Sequence, residues 1–320
     1  SICNRALILA AIANSERAFD NFLISEDTRV MLNSLKELGC IFDESSLDKN
    51  KLVFKGRDTL HNNKEMEINI ENSGTSARFL LCFIAFHVKS SRVTMHCSQR
   101  MKERPNKEIF LFLENFNEVS IKYLEKDYHF PIIIETSSSP ISCKSTEVTL
   151  SGKDSSQFVS GVIMAGYNFF SANNSIKLLY KKQSSFGFIE MTIKFMGVFG
   201  FDIQYDSSLQ MFTFNSVNPN RTLERSIYIE PDASTAAFHL CHAALNGGNI
   251  VVDGIGKNSI QGDRRVVDYL SKLGYKCHQT ENDSFIDYNP DKDKDKLVAN
   301  TSISLDLEEI TDSFIVFSTV

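Results

Sequence analysis

The sequence predicts an α/β (α+β) protein of two domains, built by repeating one supersecondary unit. Three observations predict it. Four stretches share an amphipathic-helix pattern that stops at Gly or Asn and passes into an alternating strand. A second set of helices is apolar nearly all round, which marks a helix covered on every side. The 320 residues, 42% of them hydrophobic, suffice for a large core and for two domains.

The first buried helix follows Ser1, Ile2, Cys3 and Asn4 and runs over Arg5–Ala13. A charge before a short apolar run also resembles a signal peptide. The chain opens without Met, and its polar first residues sit where a helix cap would, so a core helix fits better. Leu32–Glu44 gives the first amphipathic helix, a stop at Gly39 and a strand. Ser76–His87 is the next buried helix, followed by a strand at Ser91–Cys97 and the amphipathic stretch Leu111–Tyr123, with Asn117 at the stop. Phe158–Gly166, Ile176–Tyr180 and Ile193–Tyr205, stopped at Gly200, repeat the order. So do Ala233–Leu245, Asn249–Asp253 and Val267–Gln279, stopped at Gly274.

The stops recur roughly every 75 to 85 residues, too long a period for a common solenoid. The unit is buried helix, strand, amphipathic helix and two strands. Three units fill residues 1–227, a complete domain, and residues 228–320 hold about one and a half more, a partial second domain. Leu305–Thr319 is expected to begin another buried helix, and the charged run Asp291–Lys296 to be a solvated loop. No stretch reaches the roughly 18 apolar residues of a membrane span.

With 34 Lys+Arg against 40 Asp+Glu the formal net charge is −6, so the molecule as a whole offers no field for nucleic acid. An anionic ligand needs a local cluster of donors. The seven cysteines are odd in number and widely spaced, without C-x-x-C, which fits reduced cytoplasmic thiols better than a disulfide frame or a zinc site. His239 and His242 lie three apart on a helix with no third ligand nearby, so no metal is expected.

Donor clusters precede the buried helices: Asn72-Ser73-Gly74-Thr75-Ser76, Asp154-Ser155-Ser156-Gln157, Asp232-Ala233-Ser234-Thr235 and Thr311-Asp312-Ser313. Taken singly, each is a helix cap. Several at one place make a site for phosphate and carboxylate, because helix N-termini present free amides and partial positive charge. Arg5 and Arg78 follow two of these starts closely enough to add charge-assisted bonds, and Arg100-Met101-Lys102-Glu103-Arg104-Pro105 puts three cations in five residues.

N-x-G-T-x-x-R at Asn72–Arg78, R-M-K-E-R-P at Arg100–Pro105 and D-S-S-Q-F at Asp154–Phe158 resemble the 5-enolpyruvylshikimate-3-phosphate synthases. So do D-A-S at Asp232–Ser234, Q-G-D at Gln261–Asp263 and L-x-x-x-T-D-x-F at Leu307–Phe314, all in the family's order. Arg78-Phe79 and the surroundings of Asp312 look closest to the synthase domain of the fungal pentafunctional arom polypeptide. The resemblance implies the enolpyruvyl transferase fold: repeated βαβαββ units with buried parallel helices and outer sheets, in two domains. It also implies transfer of the enolpyruvyl group of phosphoenolpyruvate to the 5-hydroxyl of shikimate 3-phosphate, with phosphate released and no metal or organic cofactor. By the same resemblance Ser1, Arg5, Ser155, Ser156 and Ser185 contact shikimate 3-phosphate. Gly74 and Arg104 contact phosphoenolpyruvate, Asn72 and Thr75 shape that loop, and Gln157 touches both. Asp312 binds shikimate 3-phosphate and accepts the hydroxyl proton. A larger multifunctional polypeptide is the implied covalent setting.

The chain departs from the family in several places. The family's Lys before Ser1, its later Lys-Glu pair with the proton donor, and its C-terminal Arg and Lys ligands are missing from the sequence, so this segment alone is expected to turn over little. Phe188 stands for Tyr, Gly187 for Pro, Cys3 for Ser, and Asn106-Lys107 for Ile-Gly, all expected to weaken the site. Two other readings fit less well. The sister UDP-N-acetylglucosamine enolpyruvyl transferase uses a Cys in a Gly-rich loop that no cysteine here matches. A degenerate, non-catalytic domain is opposed by the retained Arg104, Gln157 and Asp312.

Overall fold

The computed structural model describes residues 2–58, 65–181, 186–216, 224–293, 297, 305 and 307–320. Two compact units divide the chain. One comprises residues 1–183 and 192–229, the other 184–191 and 230–320.

The first unit opens with α1 (Ile2–Ala13), β1 (Arg17–Asp20), α2 (Glu26–Glu37), β2 (Cys40–Asp43) and β3 (Leu52–Arg57). Next come β4 (Glu65–Asn69), α3 (Gly74–His87), β5 (Ser91–His96), α4 (Gln99–Lys102), α5 (Lys107–Leu113), β6 (Val119–Tyr123) and β7 (Ile132–Thr136). The third set is β8 (Glu147–Leu150), α6 (Ser156–Ala165), α7 (Tyr167–Ala172), β9 (Lys177–Tyr180), α8 (Phe186–Val198, of which only the part from Thr192 on belongs to this unit), β10 (Ile203–Asp206) and β11 (Met211–Phe214). β12 (Ser226–Tyr228) completes the unit.

Two of its sheets have strand orders β4-β5-β7-β6 and β8-β9-β11-β10, each with one parallel pair and otherwise antiparallel pairing. The remaining sheet has the same plan, β12-β1-β3-β2, and its parallel pair sets Ala18 against Ser226. In β4 and β8 alternate residues, Met66 and Ile68, Val148 and Leu150, turn into the core, as a sheet with one solvated face requires. At the ends of the amphipathic helices Gly39, Gly200 and Gly274 take φ of 89°, 86° and 95°, the left-handed conformation that lets the chain leave a helix for a strand. Asn117 does not play this part. α5 has already stopped at Leu113, and the Asn117 backbone N–H instead donates to the Ser142 carbonyl at 3.1 Å.

α1, α3 and α6 are the helices that read as apolar all round, and they are buried nearly end to end. They run parallel. Near their starts, the Arg5 guanidinium donates to Ser160 Oγ at 3.3 Å and lies over the Phe79 ring at 5.2 Å. At their far ends His87 Nε2–H donates to the Ala165 carbonyl at 2.8 Å. There too Arg57 donates through Nη1 to the His87 carbonyl at 3.3 Å and through its backbone N–H to Asn14 Oδ1 at 2.8 Å.

Burial, and secondarily the charge of Arg57, push His87 down to about 4. The folded-state value thus lies below the unfolded one. The unfolded chain takes up a proton first as pH falls, so stability is lost on going from about 6.5 toward about 4. Denaturant titrations across that window are expected to show a His87 share of about 2 kcal/mol, allowing for solvent screening of the half-buried ring. The share should be absent in His87→Gln.

The second unit holds α9 (Ala233–Asn246), β13 (Gly248–Val252), α10 (Val266–Lys272), β14 (Cys277–Gln279), β15 (Ser284–Tyr288), α11 (Pro290–Asp293) and α12 (Phe314–Phe317). Its sheet, β13-β15-β14, is antiparallel, and its core joins Leu240, Cys241 and Ala244 to Val266, Leu270, Ile286 and Phe317. Three expectations change here. α9 is buried on one side only, with Phe238 53% exposed. The stretch 305–319 holds a 3-10 turn, Glu308–Ile310, and the four-residue α12, with Ile315 74% exposed; so short a helix cannot be covered all round. Part of the charged run is helical, in α11. Among the described residues no helix is long and apolar enough to cross a membrane.

Candidate anion-binding site

Ser73, not Asn72, caps α3: its Oγ accepts the Ser76 N–H at 3.2 Å. Ser155 caps α6 in the same way, accepting the Gln157 N–H at 3.2 Å. These caps satisfy one amide each and leave other first-turn amides without an intrahelical acceptor. Because α1, α3 and α6 are parallel, their positive ends gather at one end of the unit.

Three guanidiniums belong to that end. Arg5 is 2% exposed and donates through Nε to Thr192 Oγ1 at 2.7 Å, while Thr192 Oγ1 donates to Ser160 Oγ at 3.0 Å. Ser160 and Thr192 carry no motif, and sequence reasoning missed them. Arg78, also 2% exposed, donates to the carbonyls of Gly74 at 3.2 Å and Pro105 at 3.4 Å, and lies over the Phe158 ring at 5.6 Å. Its Nε is buried with no partner among the described residues. Burial first, and the nearby Arg104 charge second, hold Arg78 well below its usual value.

The Arg104 guanidinium lies against Gly74. A Cβ built there would collide with Arg104 Nη1, and would come within 2.6 Å of Arg78 Nη1 and 2.9 Å of Arg104 Cζ. Gly74 is therefore what lets two cations share the start of α3. Among the described residues neither Arg78 nor Arg104 has a carboxylate within ion-pair distance. Two like charges held together without a counter-charge, beside a helix start, form a place for a carboxylate or phosphate.

The remaining sequence-predicted residues fall as follows. Thr75 is buried in the first turn of α3, while Ser155, Ser156 and Gln157 are half-exposed at the start of α6. Gln157 Oε1 is buried without a hydrogen-bond partner among the described residues. Asn72 is exposed and lines a cavity of about 270 Å³ with Glu26, Asp27 and Glu71, surroundings that repel an anion. Ser1 and Ser185 lie outside the described residues. Gly187 and Phe188 are half-buried in α8. Asn106 is fully buried, and its Nδ2 donates to the Arg104 carbonyl at 2.8 Å, so this departure braces the arginine loop.

In the second unit Asp312 is exposed, just before α12. The D-A-S and Q-G-D motifs serve each other there. Asp232 caps α9 by accepting the Thr235 N–H at 2.9 Å, and Gln261 Oε1 accepts the Ala233 N–H at 3.0 Å. The Ser234 hydroxyl donates to buried Asp263, whose carboxyl burial pushes up.

The family model of EPSP synthase (3-phosphoshikimate 1-carboxyvinyltransferase) matches residues 1–320. The pentafunctional AROM polypeptide of Pneumocystis carinii is 33% identical over 319 residues, 98% of this chain and 20% of that polypeptide. The 3-phosphoshikimate 1-carboxyvinyltransferase of Pasteurella multocida is 31% identical over 324 residues, 100% of this chain and 69% of that enzyme. The EPSP synthase structure from Acinetobacter baumannii superposes with a TM-score of 0.69 at 18% identity, covering 99% of this chain and 67% of that one, a likeness of fold. The chain thus spans a fifth of its pentafunctional relatives and about two thirds of the single-function ones. With the repeated βαβαββ sheets and the motif order in place, the chain belongs to the EPSP synthase family.

Proposed function

We propose that this chain supplies substrate-gripping residues for transfer of the enolpyruvyl group from phosphoenolpyruvate to shikimate 3-phosphate. The observation that carries the reading is the pair Arg104 and Arg78 packed around Gly74 at the start of α3 without a carboxylate partner among the described residues. That arrangement suits the carboxylate and phosphate of phosphoenolpyruvate. Ser155, Ser156 and Gln157 at the start of α6 suit the phosphorylated acceptor. In the reaction the 5-hydroxyl adds to the central carbon of phosphoenolpyruvate, Asp312 takes the hydroxyl proton and the methylene carbon gains one. The adduct then loses phosphate and a methyl proton. One C–O bond forms at the central carbon and one breaks to release phosphate, the other changes being proton transfers, so orientation of two polyanions is the protein's main task. Division into domains near residue 228, a cytoplasmic setting and membership of a larger multifunctional polypeptide are parts of the same proposal, the last supported by the AROM relatives.

The test is phosphate release by the full-length polypeptide given phosphoenolpyruvate with shikimate 3-phosphate or with UDP-N-acetylglucosamine. Release is expected only with the first acceptor; release with neither, or only with the second, overturns the reading. Shikimate 3-phosphate alone at about 100 times its Kd is expected to stabilise the full-length protein by about 2.7 kcal/mol, readable as a raised Tm.

A further inference from the structure

We propose that Glu108 is a positioning residue that ties the Arg104 loop to the turn leading into α6, and so sets the spacing between the two groups of substrate-binding residues. This rests on the enolpyruvyl-transfer reading above.

Residues 104–108 form a hub. Asn106 Nδ2 donates to the Arg104 carbonyl at 2.8 Å, and Arg78 Nη2 donates to the Pro105 carbonyl at 3.4 Å, fixing the loop to itself and to α3. Glu108, in the first turn of α5, reaches across to the end of β8. Its Oε1 accepts the backbone N–H of Ser151 and, at 2.9 Å, that of Gly152. Those two residues begin the turn that ends at Ser155, Ser156 and Gln157. On its other side the turn is seated against β9. Gly152 has φ of 62°, and a Cβ there would come within 2.8 Å of Tyr180 Cε2. The turn is thus pressed on Tyr180 from one side and held by the Glu108 carboxylate from the other. Among the described residues no other side chain hydrogen-bonds residues 104–108 to this turn.

A purely structural anchor would alter stability alone. A positioning residue has a separate signature, because a displacement of about 1 Å in substrate-holding groups costs up to about 100-fold in rate. In the full-length polypeptide, Glu108→Ala is expected to raise KM for shikimate 3-phosphate about 10-fold, with a smaller change in kcat. Glu108→Gln keeps an oxygen that can accept both N–H groups, so it is expected to stay within about 2-fold of the parent. Amide exchange at Ser151 and Gly152 should quicken in the Ala variant and not in the Gln variant. Parental kinetics in Glu108→Ala overturn the proposal, as does equal KM impairment of the two variants. If the parent itself does not turn over, the enolpyruvyl-transfer reading fails instead. Exchange then decides the anchor on its own: unchanged protection in the Ala variant removes it.

Discussion

Asp312→Asn is expected to lower kcat by about 10²- to 10⁴-fold in the full-length polypeptide, the usual worth of the general base that Asp312 is proposed to be. The amide keeps the shape of the carboxylate and removes its ability to take a proton. Asp312 is exposed and precedes a helix of only four residues, and Asn keeps the size and polarity of the side chain, so the protein should still fold. KM for phosphoenolpyruvate should hold, because Arg104 and the start of α3 are untouched. A variant with parental kcat would remove Asp312 from the role of base. One with lost kcat and a Tm many degrees lower would point to folding instead.

Gly74→Ala is expected to raise KM for phosphoenolpyruvate about 10- to 100-fold while the protein still folds. The added methyl would meet the guanidinium tips of Arg104 and Arg78, the latter at 2.6 Å, and these are the far ends of flexible side chains. Half-buried Arg104 can swing aside, whereas buried Arg78 must shift within its packing, so some stability is lost along with the grip. Gly74 starts α3 without a positive φ, and Ala is the better helix former. What moves is the pair of charges, and misplacement by about 1 Å is enough to weaken the hold on a ligand. Calorimetry with phosphoenolpyruvate is the direct check. Arg104→Ala should match or exceed the loss, whereas unchanged affinity in Gly74→Ala would place the ligand away from the start of α3.

Local signals carried much of this molecule. The stops at Gly39, Gly200 and Gly274 were legible because only a residue without Cβ adopts their φ easily. α3 and α6 were legible because all-round apolarity has one common cause. Asn117 misled because the pattern marks where a helix runs out of apolar spacing, and α5 ends earlier. α9 misled because composition cannot say how many neighbours a helix has, and Phe238 and Leu245 are left exposed in this unit. In the candidate site, Arg5, Arg78, Gly74 and Arg104 stood out by type and spacing. Their supports did not. Thr192, Ser160 and Glu108 reach their partners across 187, 155 and 43 or 44 positions of sequence, where no periodicity signals contact.

The parallel pairing of β12 with β1 bears on how the protein is made. Ala18 to Asp20 find their partners Ser226 to Tyr228 roughly 200 residues downstream, and translation at about 5–20 residues per second makes that a wait of some 10 to 40 s. Until then a nascent chain on the ribosome shows an open strand edge to every other polypeptide nearby. High contact order of this kind slows maturation and invites mispairing, so in pulse-labelled nascent chains the Ala18 N–H, which donates to the Arg225 carbonyl, should gain protection only after β12 has been made, later than the β1 amides that face β3.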